Sequence, residues 1–214
     1  MKHLTLPILL LSAILLNSCK KGSDKDNSSP LENVTIGTQI WTLKNLDVAT
    51  YKNGDPIPQV TDSAQWVNLT TGAWCYYKND PANGLIYGKL YNWYAVNDPR
   101  GLAPQGWHIP SDNEWTVLID FLGGRLISGG KMKAINLWNS PNTGATNSSG
   151  FTGLPGGGRD FIFLHLGNLG IWWSTTTGTN PIKAFGRDLQ NFTQTTDRIE
   201  YEKFLGLSVR CIKD

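Results

Sequence analysis

The sequence predicts an α+β fold, a single domain with strands toward both ends and helices between them. Three observations point there. Residues 34–41 are strand-like on either side of a Gly-Thr pair, as in a β-hairpin. Residues 111–122 carry a capped apolar stripe at helical spacing. Strand-like runs return at 170–177, 184–190 and 204–212. Helices kept apart from antiparallel strands define the α+β class. The composition agrees, because 23 Gly and 11 Pro in 214 residues demand many turns and disfavour a helix bundle.

In chain order, Val34-Thr35-Ile36 and Gln39-Ile40-Trp41 form the hairpin, and Leu43 to Tyr51 extends its second strand. Asn53-Gly54-Asp55-Pro56 is a turn. Thr61 to Leu69 holds a short helix, with Asp62 and Gln65 at capping-box spacing. Residues 73–77 read as a strand. Ile86 to Val96 reads as a helix with Leu90, Trp93 and Tyr94 on one face. Ser111 and Glu114 make a capping box, Trp115, Leu118, Ile119 and Leu122 form the stripe behind it, and Gly123-Gly124 ends it. These are the two main helices. A long loop-rich middle follows, and the closing strands bring the two ends of the domain together.

The first 18 residues belong to no fold. Leu4 to Leu16 is nearly all apolar but shorter than the roughly 20 residues that a bilayer-spanning helix needs, so it reads as the core of a secretory signal. Leu16-Asn17-Ser18-Cys19 resembles the end of a bacterial lipoprotein signal, which implies lipid on Cys19 and attachment to a membrane. Residues 19–33 are then the lipidated cysteine and a polar tether, and 34–214 the domain. The expected location is the cell envelope, as an outer-membrane lipoprotein facing the periplasm or the surface. Cys75 and Cys211 remain as an even pair in an exported chain, and a bridge between them would contribute about 5 kcal/mol. The alternative is two buried free thiols.

Several segments, read together, resemble one family. Tyr87-Gly88-Lys89-Leu90-Tyr91-Asn92-Trp93-Tyr94-Ala95, Gly106-Trp107-His108-Ile109-Pro110-Ser111, Leu154-Pro155-Gly156-Gly157 with Arg159, Trp172-Trp173-Ser174 and Ser208-Val209-Arg210-Cys211 follow the hairpin in this order. The set is similar to the Fibrobacter succinogenes major paralogous domain family. That resemblance implies an exported or lipid-anchored bacterial protein and supplies little chemistry. More distantly, residues 107–115 resemble a segment of formylglycine-generating enzymes, whose fold is related to C-type lectins. This implies a C-type-lectin-like domain.

No reactive constellation emerges. A formylglycine-generating enzyme needs paired reactive cysteines, whereas Cys75 and Cys211 sit in apolar, strand-like settings where a thiol is inert. His108 and His165 stand alone, with no metal-ligand spacing, and Glu114 is explained by its cap. The sequence therefore predicts no enzyme, no catalytic residue, no metal and no cofactor. A net charge of +2 gives no reason to expect nucleic acid. What remains is a binding module for a glycan or an envelope protein, or a structural envelope component without a small ligand. Of the nine Trp, Trp66 and Trp138 have the least structural explanation and are the candidates for a ligand face. Arg159, after three glycines, either reaches an anionic ligand or pins a loop through backbone carbonyls.

Overall fold

The computed structural model describes residues 31–214; the signal, Cys19 and the tether up to residue 30 lie outside the described residues. The elements, in order, are β1 (Asn33–Ile36), β2 (Gln39–Thr42), α1 (Ser63–Val67), β3 (Trp74–Cys75), a 3₁₀ turn at Tyr77–Asn79, α2 (Pro81–Tyr87), β4 (Leu90–Tyr91), α3 (Trp93–Val96), β5 (Trp107–His108), α4 (Asp112–Phe121), α5 (Arg125–Met132), β6 (Gly158–Arg159), β7 (Phe163–Leu164), β8 (Leu169–Thr177), β9 (Lys183–Gln190), β10 (Thr196–Glu202) and β11 (Ile212–Lys213). Each pair of these strands is antiparallel, and the class is α+β.

The ends meet as the sequence predicts. One sheet has the order β1-β2-β11-β5, with Ile212 opposite both Trp41 and His108. Gly37 turns the first hairpin at φ +61°. The first strand starts at Asn33, so the fold takes up the last residue assigned to the tether. A second sheet, β10-β9-β8, carries the longest strands.

Ser111 caps α4 as predicted: its hydroxyl accepts from the Glu114 N–H, and the Glu114 carboxylate accepts from the Ser111 N–H at 2.8 Å. Asp62 caps α1 through the Gln65 N–H at 2.7 Å. Other expectations are corrected. The helix over residues 86–96 does not form. Gly88 adopts φ +73°, where a Cβ would lie 2.9 Å from the Leu46 carbonyl oxygen, and this breaks the chain into α2, β4 and α3. Leu43 to Tyr51 does not extend β2, and residues 204–211 are irregular apart from single bridges. α5 went unread because Gly129 and Gly130 argue against a helix. Yet a Cβ on either would stand 2.2 Å from the Thr195 or 2.4 Å from the Gly144 carbonyl oxygen, so both glycines exist for close packing. The expected Cys75–Cys211 bridge is absent. Cys75 packs beside Trp66 and Tyr77, Cys211 beside Trp107 and Val209, in separate apolar clusters, and both thiols are free and buried.

β8 is the wall between two cores. Trp172 faces Trp41, Trp115, Phe151 and α4, while Trp173 faces Tyr91, Trp93 and Trp107, the alternation expected of neighbours in a strand. Arg210, fully buried, ties β2 to the loops at Asn45 and at 151–152. It donates to Asn45 Oδ1 at 2.7 Å and to the carbonyls of Thr42 at 2.5 Å, Phe151 at 3.1 Å and Thr152 at 3.0 Å. The loop-rich middle is anchored in the same way by Lys133, whose buried ammonium donates to the carbonyls of Thr143, Gln190 and Thr193.

Candidate functional site

The ligand candidates read from the sequence are all buried and packed or bonded within the fold. Trp66 is fully buried, and the Arg159 guanidinium lies 4.4 Å over its ring. Arg159, 1% exposed, donates to the Val60 and Thr61 carbonyls at 2.6 and 2.8 Å, the loop-pinning alternative. Trp138 is 9% exposed and donates its indole N–H to the Gly153 carbonyl at 2.9 Å. Arg159 also lines the cleft beneath the β6–β7 hairpin, whereas neither tryptophan presents an open ring face. The same holds for every Trp in the chain, since all nine are at most 9% exposed. Seven of them donate the indole N–H to a protein acceptor, as a buried indole should.

Several groups with chemical potential are enclosed or paired. Burial pushes the Cys75 thiol up to about 11 and the Cys211 thiol up to about 12, so both are protonated at neutral pH. Arg187 is buried against Asp112, which Arg198 also pairs. Lys89 is buried between the Trp74 and Tyr76 rings and pairs with Asp47 at 2.5 Å. His108 is bonded on both ring nitrogens, by Glu114 and Asp214. Among the described residues no three His, Cys, Asp or Glu side chains gather as a metal site.

What the surface does offer is an apolar cleft of about 200 Å³ beneath the β6–β7 hairpin. Leu164, Leu169, Ile171, Leu205 and Leu207 wall it, with Arg159, Asp160, His165 and Tyr201 as its polar members. The hairpin tip leaves Phe161 and Ile162 56% and 58% exposed. His165 leaves the hairpin at φ +67°, a left-handed conformation that is uncommon for a residue with a side chain. Tyr201 closes the far wall. Its ring meets Trp173 edge-on, and its hydroxyl donates to Asp188 Oδ2 at 2.8 Å. Burial, then the neighbouring Asp188, holds the Tyr201 hydroxyl well above its ordinary range, and burial raises the Asp188 carboxyl. The cleft therefore presents a mainly apolar lining with a few polar groups, a composition suited to holding a ligand. The sequence signal was Asp160-Phe161-Ile162-Phe163-Leu164, an apolar run flanked by glycine and charge that goes unread as a hairpin without its distant partners.

A larger opening of about 420 Å³ lies between Leu85, Ile86 and Leu43, with the Glu32–Lys44 ion pair on its rim. Leu85 is 90% exposed there.

These features define a mixed α+β domain with a tryptophan-rich core in three clusters and an apolar surface cleft. The chain belongs to the Fibrobacter succinogenes major domain family, whose sequence profile matches residues 34–213. No curated protein and no solved structure gives a significant match to the chain.

Proposed function

We propose that the protein is a non-catalytic interaction module, carried to the bacterial cell envelope and tethered there by lipid on Cys19, that reads an apolar segment of a partner protein through the β6–β7 cleft. One observation carries this choice over a glycan: no tryptophan face is exposed for a sugar to stack on, whereas Phe161 and Ile162 stand out of the surface beside an apolar cleft. Exposed aromatic and aliphatic anchors next to a pocket suit a protein partner. A C-type-lectin-like class for the domain accords with its mixed architecture, the capped helix α4 and the loop-rich stretch between α5 and β6.

A random-peptide library and a glycan array, probed with the same protein, test the reading. It expects enriched peptides that share an apolar anchor and lose binding to the Phe161→Ser variant. Glycan hits without such peptides would replace it with a lectin role, and silence in both with a structural one. The anchor has a separate test, in which Cys19→Ser releases the protein from membranes into the soluble fraction; retention on the membrane would refute lipidation there.

A further inference from the structure

His108 sits between two carboxylates from different parts of the chain. Its Nδ1 lies 2.8 Å from Asp214 Oδ1, just beyond β11, and its Nε2 lies 2.8 Å from Glu114 Oε1 on α4. Both contacts are hydrogen bonds only if both ring nitrogens carry protons, which requires the imidazolium. A neutral ring has one N–H, so one carboxylate would then face a nitrogen lone pair at 2.8 Å and must move.

The surroundings decide which one moves. Glu114 is fixed at its other oxygen, which accepts from the Ser111 N–H at 2.8 Å and from the Ser111 hydroxyl at 2.7 Å. Its side chain is 33% exposed. Among the described residues the Asp214 carboxylate has no second side-chain partner, and its side chain is 54% exposed. The backbone behind it is lightly held as well: β11 makes one residue pair with β2 and two with β5, and the Asp214 N–H donates to the Gly106 carbonyl at 3.1 Å. Glu114 and Asp214 are the acidic groups facing His108. The basic groups nearby stand with Trp107, where Lys52 donates to the Trp107 carbonyl at 3.2 Å and Lys213 is the residue opposite Trp107 across the strands.

We propose that His108 is a pH-sensitive clasp that holds the C-terminal strand against α4 when protonated and lets Asp214 and the end of β11 go when neutral. The release falls in the sheet that also contains the β1–β2 hairpin.

The direction in pH follows from the partners. Partial burial disfavours the charge, but the hydrogen bonds to Asp214 and Glu114 outweigh it and raise His108 above 6.5. Clasp stabilisation is therefore complete below the unfolded-state value and is lost as pH rises through the raised folded-state value.

Amide hydrogen exchange of the full chain in detergent, at pH 5.5 and 8.5 with intrinsic rates corrected, tests this. Protection of a peptide covering residues 206–214 is expected to fall by about threefold at the higher pH, the size of an exposed ion pair. In His108→Gln the ratio between the two pH values is expected to be near one. Asp214→Asn, which removes only the more exposed carboxylate, should also flatten it, and keeps the test open if the first variant folds poorly. Wild-type protection that does not change with pH, or the same change in either variant, would overturn the clasp.

Discussion

The tryptophans and the exposed phenylalanines divide the molecule. All nine Trp are buried, spread through three clusters on both sides of β8. Phe121, Phe161 and Phe192 are 56–64% exposed, each in or beside a turn. The difference is one of chemistry as well as size. An indole carries a donor, so a buried Trp joins an apolar core to a backbone carbonyl, as Trp93 does at Ser174 and Trp173 at Tyr91. Phenylalanine has no such handle and works equally well as an exposed anchor. An abundance of Trp here signals how the loops are bolted to the core, and the proposed binding surface is marked by residues that composition does not single out.

The comparison breaks most visibly at Arg210. Replacing it with Met leaves the buried Thr42, Phe151 and Thr152 carbonyls without their donor, and is expected to cost about 2–3 kcal/mol or more in urea unfolding, since one stranded buried acceptor costs roughly 1–3 kcal/mol. Next come two tryptophans that differ in one bond. Trp172 donates to Asn45 Oδ1 at 2.8 Å, whereas the Trp66 indole N–H has no partner. Trp172→Phe should therefore destabilise more than Trp66→Phe, by about 1 kcal/mol in the same assay. Equal losses would show that packing alone holds both. Phe161→Ser, on the exposed side, is expected to shift stability by no more than about 0.5 kcal/mol. A larger loss would move the hairpin from the reading surface into the scaffold.

How much of this could be read from the chain depends on how local each cause is. The capping box at Ser111 and Glu114 and the opposed faces of Trp172 and Trp173 rest on neighbouring residues and were legible. The break at Gly88, the close packing of Gly129 and the burial of Trp66 under Arg159 depend on residues far away in sequence. Trp66 and Trp138 looked free because no periodic stripe claimed them, yet Arg159 and Gly153 enclose them. The cysteines show the same limit. An even count suggested a bridge, while the packing places each thiol in its own cluster. Thiol titration of the Cys19→Ser protein should accordingly detect no reactive thiol while it is folded and two after denaturation without reductant. No thiol in the denatured protein would restore the bridge.

The division between scaffold and reader is tested most directly by calorimetric titration of one library-selected peptide into the wild-type, Phe161→Ser and Trp138→Phe proteins. The account predicts that Phe161→Ser weakens binding by about tenfold or more, as loss of an anchor should, and that Trp138→Phe stays within about twofold for a residue acting only in the core. Binding that survives Phe161→Ser and fails with Trp138→Phe would contradict it.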